Sequence, residues 1–338
     1  MKNILVDANV HEEKLKYLKS IKGVNVEVIE YKEEARYIPA EILKDKNVLF
    51  CSYPPKNFED MKSLEFIQLT SAGYSQLFNM NLEEKGIRAC NGRGNSDAPI
   101  AEWNIAMMIN LARDMRGLIR NQEAGVWDRS AKFQTEIRGL TVGIWGYGSI
   151  GRETARLAKA HGLKVHVIDQ FIYNSSNGPL LYVLDGVGDP NAEIPDKCFT
   201  LEQKDEFLKD LDFLVLAMPL TDTTKGIIGE KELNTLKRNA FVINAARGPL
   251  IQEEAFLKVL REGRIAGAAL DTHYYYPMPA DHPLWKFPNV IMTPHISGSG
   301  LSPQFIERIW DIFVQNVERF INGLPLLNQL NSFQLSGK

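Results

Sequence analysis

Arg247 and His295 are the side chains in this 338-residue chain best suited to do chemistry. Each follows a short apolar run that reads as a strand. Arg247 lies in Asn244-Ala245-Ala246-Arg247-Gly248, after Ala240–Asn244. His295 lies in Thr293-Pro294-His295-Ile296-Ser297-Gly298, after Val290–Thr293. In a parallel sheet, ligands bind beyond the carboxyl ends of the strands. A guanidinium there can grip a carboxylate through two parallel charge-assisted hydrogen bonds. An imidazole there can give and take a proton near neutral pH. A third strand end, Ala269-Leu270-Asp271-Thr272, adds an acid. Hydride transfer to a 2-keto acid needs such parts: a cation for the carboxylate and a proton for the carbonyl oxygen.

Residues 141–151 supply the hydride carrier's site. They read Thr-Val-Gly-Ile-Trp-Gly-Tyr-Gly-Ser-Ile-Gly, an apolar strand running into Gly146, Gly148 and Gly151 ahead of a helical pattern from Arg152 to His161. Gly146 allows the tight turn, Gly148 lets a pyrophosphate approach the backbone, and Gly151 lets helix pack close to strand. The N–H groups opening the helix then face the phosphates. The next strand, Lys164-Val165-His166-Val167-Ile168-Asp169, ends in an acid 18 residues after Gly151. Such an acid bonds the ribose hydroxyls and repels a 2′-phosphate. Gln170 and Phe171 follow, with no Arg or Lys to hold that phosphate, so NAD is expected over NADP.

These motifs need a scaffold, and the chain alternates strand-like and helical runs throughout. One set of strands is Ile4–Val6, Val24–Ile29, Val48–Phe50, Phe66–Leu69 and Ile87–Cys90. A second is Thr141–Trp145, Val165–Ile168, Phe213–Ala217, Ala240–Asn244, Gly267–Leu270 and Val290–Thr293. Alternation of this kind implies parallel sheets with right-handed crossovers. The fold class expected is α/β, two doubly wound domains: a flavodoxin-like substrate domain of residues 1–100 plus 299–338, and a Rossmann NAD-binding domain of residues 101–298. Ala101–Arg116 reads as one long outbound helix, within a crossover and dimerisation element at 101–119. Leu301–Asn322 reads as a helix crossing back to the first domain, and Gly323-Leu324-Pro325 stops it. The ligand cleft is then expected between the domains. Phe171 to Phe199 reads as an extended loop or arm, with a subunit contact as one role.

The composition excludes other classes. A net charge of −3 gives no general attraction to nucleic acid or anionic lipid, so neither is an expected partner. The first residues form a strand instead of a signal peptide, and no apolar run approaches the roughly 20 residues that span a bilayer. The cysteines (Cys51, Cys90, Cys198) are odd in number, scattered and without metal-ligand spacing. A cytoplasmic protein without a metal is expected.

Gly146-Tyr147-Gly148-Ser149-Ile150-Gly151, Pro219-Leu220-Thr221, Asn244–Gly248, Gly267–Asp271 and Thr293–Gly298 resemble, in order and spacing, the D-isomer-specific 2-hydroxyacid dehydrogenases. The resemblance runs from about residue 45 to residue 320, with Ser71-Ala72-Gly73 and Ala101-Glu102 fitting the family's first domain. It implies that Arg247 binds the substrate carboxylate, helped by backbone N–H groups of Ala72 and Gly73, and that His295 is the acid/base. It implies cofactor contacts at Gly146, Gly148, Ser149, Ile150, Gly151, Asp169, Met218, Pro219, Thr223, Ala245, Asp271, His295 and Gly298, and a homodimer.

One position departs from the family. Members usually carry a Glu five residues after the Asp, paired with the His; here it is Tyr276. A carboxylate raises a His pKa and orients the ring, whereas a phenol orients without charge. Tyr276 is therefore a candidate catalytic residue in place of the acid, and His295 is expected to stay neutral to lower pH. Two other readings stay open. NAD-dependent formate dehydrogenases, similar around Pro277–Pro283, put Gln at that position and abstract hydride without a proton acceptor, although Ser96 stands where they carry Asn. The C-terminal-binding-protein corepressors use the fold as an NAD-sensing platform.

Overall fold

The computed structural model describes residues 1–130, 134–170 and 180–337. These divide into two units. The first comprises residues 1–96, 180–184 and 299–337, and the second the described residues of 97–170 and 185–298. Among the described residues no helix is long and apolar enough to cross a membrane.

The first unit is built on five parallel strands: β1 (Lys2–Asp7), β2 (Val24–Val28), β3 (Val48–Cys51), β4 (Phe66–Leu69) and β5 (Arg88–Cys90), in the order β2-β1-β3-β4-β5. β3 and β4 are buried at every residue, which is why they read as continuous apolar runs. Helix Pro303–Ile321 covers one face. Ser302 caps it by accepting the Phe305 N–H, and Pro303 suits the first helical position. Its Phe313 ring stacks on Phe50 at 4.1 Å, while Trp310 meets Phe50 edge-on at 5.4 Å. This helix belongs wholly to the first unit, so the expected return crossing is not made by the helix.

The second unit holds seven parallel strands: β6 (Thr141–Trp145), β7 (Lys164–Ile168), β8 (Lys197–Phe199), β9 (Phe213–Leu216), β10 (Phe241–Asn244), β11 (Gly267–Leu270) and β12 (Val290–Met292). Their order is β12-β11-β10-β9-β6-β7-β8. Six were expected. β8 has only three residues, too few to show a period, and Asp196 secures its approach by accepting the Val165 N–H at 2.7 Å. The topological switch lies between β6 and β9, so the glycine turn after β6 sits where such sheets bind ligands.

The single helix expected over 101–116 is two, Asp97–Ala112 and Met115–Glu123. Asp114 breaks the run. It adopts φ 44°, and its carboxylate accepts the Gly117 N–H at 3.2 Å, an N-cap inside a continuous helical spacing. The expected arm resolves into three parts. Residues 171–179 lie outside the described residues. Residues 180–184 pack into the first unit, and residues 185–196 lead to β8 in the second.

Candidate active site

The glycine turn shows the stereochemistry that its residue types imply. Gly146 has φ +101°, and a Cβ there would stand 2.7 Å from the Ala217 carbonyl carbon. A Cβ on Gly151 would lie 2.2 Å from the Gly146 oxygen, so helix Ser149–Ala160 packs as close to β6 as backbone allows. A Cβ on Gly148 would meet no protein atom within 4 Å. That open face lies at a helix N-terminus with no acid in its first turn, a setting fit for a pyrophosphate. Ser149 Oγ donates to Asp97 at 3.0 Å; Ile150 follows in the same first turn. Asp169, one residue past β7, accepts the Tyr147 N–H at 2.6 Å, which fixes the acid beside the turn.

Sequence reasoning did not anticipate the support behind this turn. The Tyr147 hydroxyl is buried and donates to Asp189 at 2.6 Å. Burial and that carboxylate push the phenol far above its ordinary pKa, so it remains a donor. Asp189 also accepts the N–H groups of Glu193 and Ile194, and Arg152 reaches its backbone carbonyl while lying over the Tyr147 ring. The Gly188 N–H is held by Glu153 at 2.6 Å. The 185–196 segment is thus bolted to the cofactor turn.

The other expected residues lie at carboxyl ends of neighbouring strands. Met218 and Pro219 follow β9, and Thr224 closes their turn by donating to the Pro219 carbonyl at 2.7 Å, with Thr223 bonded to Thr221. Ala245 and Arg247 follow β10. Buried Asn244 shapes that turn, accepting the Ala246 N–H at 3.0 Å and donating to the Arg247 carbonyl at 2.9 Å. Gly248 must lack a side chain, because a Cβ would come within 2.4 Å of the His273 backbone. The close approach ties the Arg247 turn to the segment after β11.

Asp271, one residue past β11, is fully buried, and its carboxylate grips the following loop. It accepts from Thr293 Oγ1 at 2.5 Å, from the Ile296 N–H at 2.9 Å and from the Ser297 N–H at 2.9 Å. Between those contacts His295 adopts φ +58°, a left-handed conformation that an L-residue holds only when its surroundings impose it. His273, which the sequence gave no reason to single out, adds an anchor: its Nε2–H donates to the Thr293 carbonyl at 2.8 Å. Gly298 closes the loop.

Tyr276 packs its ring against His295, centroids 5.6 Å apart at 58°. Its hydroxyl accepts the His273 N–H at 3.2 Å. His295 stays open to solvent, yet surrounding protein and then the charge of Arg247 hold its pKa below the ordinary value, against an opposing influence of Asp271. Asp271 is the one carboxylate among the named influences. Glu253 is engaged elsewhere, accepting from His282 Nε2 at 2.7 Å and from the Tyr275 hydroxyl at 3.1 Å. Among the described residues no cluster of His, Cys, Asp and Glu could hold a metal ion.

In the first unit, the Ser71–Gly73 loop follows β4 with its carbonyls turned inward. Asn95 donates to the Thr70 carbonyl at 2.7 Å, Asn91 to that of Ala72 at 2.7 Å, and Ser71 Oγ to that of Gly73 at 2.7 Å.

Residues 105–297 match the family described as D-isomer specific 2-hydroxyacid dehydrogenase, NAD binding domain. The chain belongs to this family. It is 32% identical over 311 residues to a putative 2-hydroxyacid dehydrogenase of Haemophilus influenzae, covering 87% of this chain and 90% of that one. It is 31% identical over 335 residues to D-3-phosphoglycerate dehydrogenase of Methanocaldococcus jannaschii, covering 98% of this chain but 60% of that longer protein. A glyoxylate reductase from Paecilomyes thermophila shares the fold with a TM-score of 0.80 at 24% identity, over 98% of this chain and 99% of that one. As a D-2-hydroxyacid dehydrogenase relative, the protein is an NAD-dependent oxidoreductase.

Proposed function

We propose that the protein transfers a hydride between NAD(H) and a small 2-keto or D-2-hydroxy acid. Arg247 binds the carboxylate and His295 exchanges the proton at the C2 oxygen; within the first unit, the Ala72 and Gly73 N–H groups are the candidate carboxylate donors. The nicotinamide, when bound, supplies or accepts the hydride. Gly146, Gly148, Ser149, Ile150, Gly151 and Asp169 would hold the pyrophosphate and ribose. Met218, Pro219, Thr223, Ala245, Asp271 and Gly298 would border the rest. Asp271 acts by fixing the His295 loop, and Tyr276 by flanking the imidazole.

The observation carrying this reading is geometric: Arg247 and His295 follow β10 and β12 of one parallel sheet, beyond the strand ends where such sheets bind ligands. Arg247→Ala should abolish turnover while NADH still binds, as measured by fluorescence titration. Loss of NADH binding would reassign the residue. A panel of glyoxylate, pyruvate, hydroxypyruvate and branched or aromatic keto acids with NADH identifies the substrate, and formate with NAD is the counter-test. Binding of NAD with no turnover across the panel would favour a sensor.

A homodimer and a cytoplasmic location belong to the same proposal. Ile109, Met115, Leu118 and Ile119 are exposed on helices Asp97–Ala112 and Met115–Glu123, beside exposed Trp285, a patch suited to self-association. The free thiols of Cys51, Cys90 and Cys198 suit a reducing compartment. Sedimentation of the protein and of a Leu118→Glu variant tests the dimer.

A further inference from the structure

If Ala72 and Gly73 present N–H groups to a carboxylate, something must hold their loop, and the hydrogen bonds lead to Asn328. Asn328 is buried and left-handed, with φ +55°. Its side-chain amide donates to the Arg93 carbonyl at 2.8 Å and to the Asn91 carbonyl at 3.3 Å. Its own carbonyl accepts the Asn91 N–H at 3.4 Å. Asn91, also buried, accepts the Arg93 N–H at 3.3 Å and donates to the Ala72 carbonyl at 2.7 Å. The loop is therefore two side chains away from Asn328.

The remaining groups of Asn328 are held by the segment that follows the cofactor acid. Its N–H donates to the Leu180 carbonyl at 2.7 Å, and its Oδ1 accepts the Tyr182 N–H at 3.0 Å. Gly94 makes room for this segment, since a Cβ there would sit 2.6 Å from the Tyr182 carbonyl. An asparagine with both amide atoms and both backbone groups engaged has one available orientation.

We propose that Asn328, clamped by residues 180–182, is the positioning residue for substrate carboxylate binding: it fixes Asn91, and Asn91 fixes the Ala72–Gly73 amides. This rests on the reading of those amides given above. It also assigns work to the described part of the irregular stretch beyond Asp169.

The test uses Asn328→Gly, which keeps the left-handed backbone and deletes the side-chain bonds, together with Asn91→Ala and the double variant. Asn328→Asp, close in shape, serves should the glycine variant be too unstable. Each single variant should raise KM for the keto acid about fivefold to tenfold, the effect of one lost hydrogen bond. The kcat and the NADH Kd should stay unchanged. The double variant should be no worse than the singles, because both act through one path. Amide hydrogen exchange at residues 71–73 should quicken in each. Gln329→Ala, which removes bonds to Arg88 on the adjacent residue, should change neither KM nor exchange. An unaltered KM in Asn328→Gly, or effects that multiply in the double variant, overturns the proposal. Should the wild-type protein turn over no 2-keto acid, the parent reading falls. Exchange at 71–73 then decides alone: quickening in Asn328→Gly supports the link and unchanged protection refutes it.

Discussion

Replacing Tyr276 by Glu should restore an acid beside His295 and extend keto-acid reduction to higher pH. Reduction needs the imidazolium, and that form is lost as pH rises through a pKa that the surrounding protein and Arg247 hold below the ordinary 6.5. Wild-type kcat/KM in the reducing direction should therefore climb as pH falls from neutral. The rings of Tyr276 and His295 lie 5.6 Å apart. Opposite unit charges at that separation attract by about 0.7 kcal/mol in water and about 3 kcal/mol at an effective dielectric near 20. Tyr276 is 59% exposed, so screening favours the lower end, about 1 kcal/mol. That corresponds to about fivefold more imidazolium at any pH above the titration. The assay is NADH oxidation with the best keto acid from pH 5 to 9, comparing wild type, Tyr276→Glu and the neutral control Tyr276→Gln. Superimposable Glu and Gln profiles would refute the argument.

Other outcomes follow from the same geometry. Asp271→Asn sets an amide among three donors, so the protein should lose about 2 kcal/mol of stability in urea unfolding; the fall of its reductive kcat/KM with rising pH should also move to lower pH, because Asp271 opposes the lowering of His295. Gly151→Ala puts a methyl where the Gly146 oxygen lies 2.2 Å away, and calorimetric NADH titration should show at least a tenfold weaker Kd if the chain folds. Asp169→Ser should weaken NADH binding and narrow its preference over NADPH, read as the ratio of the two kcat/KM values.

What the sequence made legible is what local sterics write into residue type. Gly146 and Gly151 are glycines because backbone oxygens or carbons occupy the space of a Cβ, and such a demand is visible without the fold. The apolar strands β6 and β10 were equally plain. The helix break at Asp114 was readable too, since an Asp three residues ahead of Gly117 is an N-cap signal; the helical spacing of Leu111, Met115 and Leu118 around it masked the cue. Asn328 and Asn91 could not be found that way. Their partnership spans 237 residues, and neither residue type is unusual at a strand end or turn. His273 and Asp189 escaped for the same reason: each acts through hydrogen bonds to residues distant in sequence, with no periodic trace. The packing of residues 180–184 into the first unit had no pattern to announce it.

The stretch after Asp169 also bears on how this protein can be recombined. Its chain passes from one unit to the other near residues 96, 180, 184 and 298, so neither half is obtained by trimming the ends of a continuous gene segment. A graft of the nucleotide-binding half onto another scaffold must carry residues 180–184 as a foreign graft of its own, or replace them with a short bridge. Chimaeras designed on a two-junction plan would strand Asn328 without its clamp, and the fault would surface at the acid-binding loop, far along the sequence from either splice.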